Sequence, residues 1–203
     1  MPLVPVFIFI YKRKYFSKPY LPIFILVLSA SIISLYSSIQ SKYGINNMPS
    51  LHLLTVLEFI SISAFYYYSI NNRFQRKSIS IIGILFTMFS IVNSFYIQNI
   101  EDYNTYARGL EAFLVICFSL ILFRQMFLEL EYVRLEHSSK FWINSAFLIY
   151  FACTQFLFLF YSEVKEIYPR NVSLILWDLH AWVCVLYYLL LGVGLWKVQS
   201  KAT

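Results

Sequence analysis

Six side chains carry most of the chemical potential of this chain: His52, Glu58, Arg108, Glu111, Asp178 and His180, each within or beside a long apolar run. Carboxylates and histidines are the groups that move protons, hold metals or bind polar ligands. Polar residues with no catalytic type of their own accompany them at similar depth, Asn93 and Gln155. Asn144 and Arg124 stand nearer the other ends of their runs. An ionisable group at membrane depth is costly and faces a bundle interior or a wet cavity. Glu58 is the hardest of the set to explain by packing, because a carboxylate that deep must be protonated, paired or hydrated.

Geometry separates these residues. Asp178 and His180 are two positions apart, about 200° around a helix, so they cannot both enter one narrow pocket. His180 shares its face with Trp177, Cys184, Tyr187 and Leu191 and is the better pocket residue. His52 and Glu58 stand roughly 120° apart and fit one broad inward face. Plainer roles exist for each. Arg108 and Glu111, at i and i+3, can pair with each other alone. His52 can be an interfacial histidine, and His180 a core histidine bonded to Glu58 or Asn93. Asp178 reads as glue between helices more readily than as chemistry. Cys117, Cys153 and Cys184 lie in apolar runs without paired spacing and read as packing residues.

The elements that position them are membrane spans. Of 203 residues, 60% are hydrophobic and 13% charged; an ordinary soluble domain is about half apolar and about a quarter charged. Phe and Tyr are abundant, 20 and 17, as lipid-facing and interfacial surfaces require. The net charge of +6 does not mark a nucleic-acid binder, since the basic residues form short clusters between apolar runs. Runs of about 20 apolar residues cross the hydrocarbon core, and six qualify: 21–40, 51–70, 78–97, 106–127, 141–161 and 172–196. A seventh run, 2–11, is about 15 Å of helix. Its charged flank Lys12-Arg13-Lys14 marks it as the end of a first helix, genuinely short or begun before the first residue.

The expected fold is therefore all-α: a polytopic transmembrane bundle of seven helices, the first one short, forming one integral membrane domain over 1–203. The segment 124–140 reads as a cytoplasmic extension of the fifth helix, mixing Phe127, Leu128, Leu130 and Val133 with Glu129, Glu131 and Arg134. Lysine and arginine set the orientation. One side carries Lys12, Arg13, Lys14, Lys18, Arg73, Arg76, Lys77, Arg124, Arg134, Lys140, Lys197 and Lys201; the other only Lys42, Arg108, Lys165 and Arg170. That bias predicts the N-terminus outside, the C-terminus inside and a multi-pass protein of the cell (inner) membrane. Tyr66–Tyr68, Trp142 and Trp196 then fall at the inner interface as an aromatic belt. The ionisable residues converge in depth on the outer half: Glu58 lies about 10 Å below the outer surface, Asp178 and His180 about 9 and 12 Å.

Such convergence suits a ligand pocket open to the outside, with His52, Glu58, Asn93, Arg108, Glu111 and His180 as its candidate binding residues. Other chemistry lacks its signatures. No HExxH, HxxxH or ExxH pair offers metal ligands, and His137 falls on the opposite side. No lysine sits mid-span for a retinal Schiff base, and no GxSxG, P-loop or dinucleotide fingerprint occurs. No cofactor is expected. Span-internal glycine is scarce and the longer downstream spans lack internal proline, against the broken helices of transporters.

The strings LHLLTVLEF from Leu51, YARGLEAFLVI from Tyr106, FWINSAFLIYF from Phe141 and LWDLHAWVCVLYYLLLGVGLWK from Leu176 resemble a family of small bacterial seven-helix proteins. Its members stand alone or serve as input modules associated with sensor histidine kinases. The resemblance covers nearly the whole chain and departs at the shortened first helix. It carries over to His52, Glu58, Arg108, Glu111, Trp142, Asn144, Trp177 and His180, and implies topology rather than a reaction. The function expected is a membrane sensor or signal-transducing module. Its partners are the lipid bilayer, an unknown small ligand and a separate histidine kinase or other membrane protein, with no nucleic acid. The alternatives are an intramembrane lipid-modifying enzyme using Glu58 or Glu111 with His180, and a structural or accessory subunit.

Overall fold

The computed structural model describes residues 3–12, 16–129, 134–167 and 170–198. These fold into seven α-helices with no strand among the described residues: α1 Leu3–Lys12, α2 Leu21–Lys42, α3 Met48–Ser69, α4 Arg73–Val92, α5 Thr105–Leu128, α6 Ser139–Ile167 and α7 Arg170–Trp196. All but α1 are long and apolar enough to cross a membrane. This is a multi-pass membrane architecture, matching the six full-length runs and the short seventh. Every polar backbone group of a span must be satisfied internally, which only an unbroken helix or a closed barrel achieves.

Local sequence sets the helix ends. Pro22 and Pro49 open α2 and α3, where a missing N–H costs nothing. Asn72 caps α4 by accepting a hydrogen bond from the Gln75 amide at 3.1 Å. Gly44 takes φ 71° just past α2, a left-handed turn that favours glycine. The final turn of α4 widens into a π turn over Asn93–Ile97, which closes when the Gln98 amide bonds the Asn93 carbonyl at 2.8 Å. That widening displaces the Asn93 and Ser94 side chains from the regular helical register.

Packing makes a ring of helices. α2 lies on α3, α3 also contacts α4 and α5, α5 packs on α6, and α6 on α7. α1 joins α7 to α2. Small residues allow the closest crossings: a Cβ added to Gly194 of α7 would stand 2.6 Å from Ile143 Cγ1 of α6. The core is rich in rings, with Phe59, Phe65, Tyr66, Phe147, Phe151 and Phe158 fully or almost fully buried. The outer surface of the ring is apolar too. Ile32, Leu35, Ile84, Leu85, Phe156 and Trp182 are all more than half exposed, which water would not tolerate in so many contiguous positions.

Two expectations need correction. The fifth helix does not extend through 124–140: it ends at Leu128, and the chain makes a 3-10 turn at Leu135–His137 before α6 begins at Ser139. Residues 130–133 of that segment lie outside the described residues. Polar contacts gather at this helix end. Gln125 Oε1 accepts from the Asn71 amide at 2.7 Å, and Glu129 Oε2 accepts from Asn71 Nδ2 at 2.8 Å. They hold the end of α5 to the α3–α4 turn. Nor is Tyr66 an interfacial ring. It is fully buried, whereas Tyr68 and Trp196 are exposed.

Candidate functional site

Three charges meet inside the ring. Glu58 lies near the middle of α3, and Arg108 and Glu111 in the first two turns of α5. Arg108 Nη1 donates to Glu58 Oε2 at 2.5 Å and to Glu111 Oε2 at 3.1 Å. Glu111 is fully buried, while Glu58 and Arg108 retain only slight exposure. The i, i+3 pair expected on α5 is thus one half of a triad whose other half arrives from α3. One guanidinium faces two carboxyl groups, and Glu111 Oε1 has no hydrogen-bond partner. Charge-assisted bonds of this kind are strong in a low dielectric, yet they rarely exceed the cost of desolvating their charges.

Glu58 and Arg108 face a cavity of about 170 Å³. Its walls come from α2, α3, α6, α7 and the start of α5, and they are largely aromatic: Tyr103, Tyr150, Phe158, Trp177, Tyr187 and Tyr188. The Arg108 guanidinium stands 5.6 Å from the centre of the Phe158 ring. His180 completes the wall. Its ring centre lies 5.3 Å from Trp177, 5.7 Å from Phe158 and 5.9 Å from Tyr150. His180 Nε2 contacts Cys184 Sγ at 3.4 Å, one helical turn on. Its Nδ1 and the Tyr187 hydroxyl are buried without hydrogen-bond partners. Buried polar atoms normally find partners, so two unused ones beside a cavity mark where a ligand or water can bond. A larger groove of about 450 Å³ between α3 and α4 offers only hydroxyls among apolar groups and no charge.

The sequence candidates divide between this cavity and a second cluster. Glu58, Arg108 and His180 line the cavity, and Glu111 braces Arg108. His52 and Asn93 belong to a neighbouring network. His52 Nδ1 meets Ser94 Oγ at 2.7 Å and His52 Nε2 meets the Asp102 carbonyl at 3.1 Å. Asn93 Nδ2 donates to Gln98 and Asn104 at 3.0 Å each, and Asn104 donates to Thr55 at 3.3 Å. That network ties α3 to the π turn and the following loop. Asn104 joins the two clusters, since it also lines the cavity. His180 bonds neither Glu58 nor Asn93; its partner is Cys184. Asp178 is exposed on the outer face of α7 rather than between helices. Gln155 donates to the Gly109 carbonyl at 3.4 Å.

Sequence reasoning treated Cys184 as packing and did not assign Tyr150, Phe158 or Tyr188 to a wall. The signal was partial: 177, 180, 184 and 187 recur at helical spacing, but nothing local distinguishes a cavity-facing ring from a lipid-facing one. Among the described residues, no three His, Cys, Asp or Glu side chains come together as a metal site requires.

No protein-family model, curated protein or solved structure matches the chain. The likeness seen in its four local strings therefore rests on those strings alone.

Proposed function

We propose that the protein is an integral membrane sensor module whose cavity binds a small ligand and which acts with a separate histidine kinase. The observation that carries this is the Glu58–Arg108 pair, buried in the bundle yet facing a cavity of about 170 Å³ beside the unused Nδ1 of His180. A few polar groups in a largely apolar wall are what a small-molecule site requires. The lysine and arginine bias supports an orientation with the N-terminus outside and the C-terminus in the cytoplasm of an inner-membrane protein, and hence a cavity in the outer half.

Transmission follows from the helices that carry the triad. Glu58 near the middle of α3 pairs with Arg108 near the start of α5, and the far ends of the two helices are joined through Gln125, Asn71 and Glu129. A ligand that favours one spacing of α3 against α5 shifts the bundle toward that state, by as much as its affinity differs between the two. The shift arrives at the turn where α3, α4 and α5 meet, on the cytoplasmic side in this orientation, where a kinase can read it.

The test replaces the gene in its native host with Glu58→Leu or His180→Leu and compares transcript profiles with wild type and deletion strains. A C-terminal alkaline phosphatase fusion, expected to be inactive, reports insertion and orientation together. Both variants are expected to insert fully and to reproduce the deletion profile. A wild-type profile in both removes the basis for the sensor. Altered lipid species in the deletion strain, with transcripts unchanged, would favour a lipid-modifying enzyme.

A further inference from the structure

We infer that the cavity takes the cationic end of an amine or quaternary ammonium compound. This rests on the ligand-pocket proposal above and adds the chemistry. Charge comes first. Glu58 presents a carboxyl group to the cavity beside Arg108, and Glu111, outside the lining, bonds the same Nη1. An anion approaching Arg108 meets Glu58 beside it, whereas a cation approaching Glu58 meets an acceptor.

The walls agree with the charge. Rings of Tyr150, Phe158, Trp177 and Tyr188 surround the space, and aromatic faces bind ammonium groups through their quadrupoles. Phe158 already sits beside one cation, Arg108. The space, about 170 Å³, has room for a small headgroup such as a trimethylammonium or aminoethyl group.

The exposed Ser34 of α2 and the partly exposed Tyr188 of α7 both line the cavity. The same ammonium chemistry can arrive as a lipid headgroup or as a free soluble amine.

Cys184 on the cavity wall provides the readout. Protein with Cys117→Ser and Cys153→Ser, in phosphatidylglycerol nanodiscs, is alkylated at Cys184 by N-ethylmaleimide. Dodecyltrimethylammonium is expected to slow alkylation about tenfold, equivalent to one good cation–π and ionic contact. Dodecyl sulfate and dodecanol are expected to leave it unchanged. Protection by choline as well identifies a soluble source; protection by the long-chain cation alone identifies the lipid. Glu58→Gln should abolish protection, and Tyr188→Leu, which leaves the triad intact, should weaken it several-fold. Thermal unfolding in the same nanodiscs is the second measurement, with the midpoint raised by the cation in the unsubstituted pocket only. Equal protection by dodecyl sulfate or dodecanol overturns the cation while keeping the pocket. No effect of any compound on either measurement overturns both.

Discussion

Two buried polar clusters stand on the same stripes of α3 and α5, and they follow opposite rules. Glu58 and Glu111 anchor one. Eight residues further along each helix, Tyr66 and Ser119 anchor the other, about 12 Å away. The second cluster is neutral and closed. Tyr66 Oη bonds Ser119 Oγ at 2.6 Å and donates to Asn144 Oδ1 at 2.8 Å, while Asn144 Nδ2 donates to the Ser119 carbonyl at 3.0 Å. All three residues are fully buried, and these side-chain groups are all used. The first cluster is charged, borders a cavity, and leaves Glu111 Oε1 and the nearby His180 Nδ1 without partners. A satisfied network fixes one arrangement of three helices. An unsatisfied one beside a space is poised to accept something else. On the proposed sensor reading, the neutral knot is the pivot and the charged triad the part that responds.

The largest effect expected is from Arg108→Leu. It leaves two carboxylates buried with no cation, a loss on the order of 3–5 kcal/mol. Unfolding of the variant in a denaturing-detergent titration should show it. The triple variant Glu58→Leu, Arg108→Leu, Glu111→Leu should recover most of that stability, because apolar residues of similar size replace a buried ion cluster at little net cost. It should nevertheless remain without a response in the native host. If the triple variant stays as unstable as Arg108→Leu, the triad is a scaffold and the contrast between the clusters is lost.

Asn144→Leu is next, at about 1–3 kcal/mol, since it leaves the Ser119 carbonyl without that side-chain donor and takes one partner from Tyr66. The same titration measures it. Protection of Cys184 by dodecyltrimethylammonium should be unchanged, because no group of the knot touches the cavity. Coupling between Asn144→Leu and Glu58→Gln in a double-mutant cycle would instead show the two clusters acting as one.

How much of this was legible in the sequence depends on range. Hydropathy found six spans and the short α1, because apolar length is a local property. The Arg108–Glu111 pair was legible from its i, i+3 spacing, and Glu58 from its depth. That Glu58 completes the same cluster depends on the crossing of α3 and α5, which no local pattern encodes. His52 lay beyond reach for another reason: its bond to Ser94 depends on a π turn that regular helical periodicity does not anticipate. The neutral knot went unseen because Tyr66 sits beside Tyr67 and Tyr68 and looked like part of an interfacial belt. Ser119 is a small residue in an apolar span with no local feature that marks it. Polar groups that satisfy one another so fully carry no charge to announce them.

The smallest stability effect, and the sharpest separation of the clusters, is expected from His180→Phe. The substitution keeps a ring between Trp177, Phe158 and Tyr150. It removes a single contact to a thiol, a weak partner, and it relieves a buried Nδ1 that had no partner to lose. The expected change is within about 1 kcal/mol in either direction. Asn144→Leu, by contrast, breaks bonds that were all satisfied. Response in the native host should reverse that order, with His180→Phe silent and Asn144→Leu close to wild type once correctly folded. Both substitutions exchange a polar side chain for an apolar one inside the same bundle, so burial alone predicts similar outcomes for them. A cost for His180→Phe equal to that of Asn144→Leu would mean that the cavity wall is locked as tightly as the knot, leaving no part of the bundle free to respond.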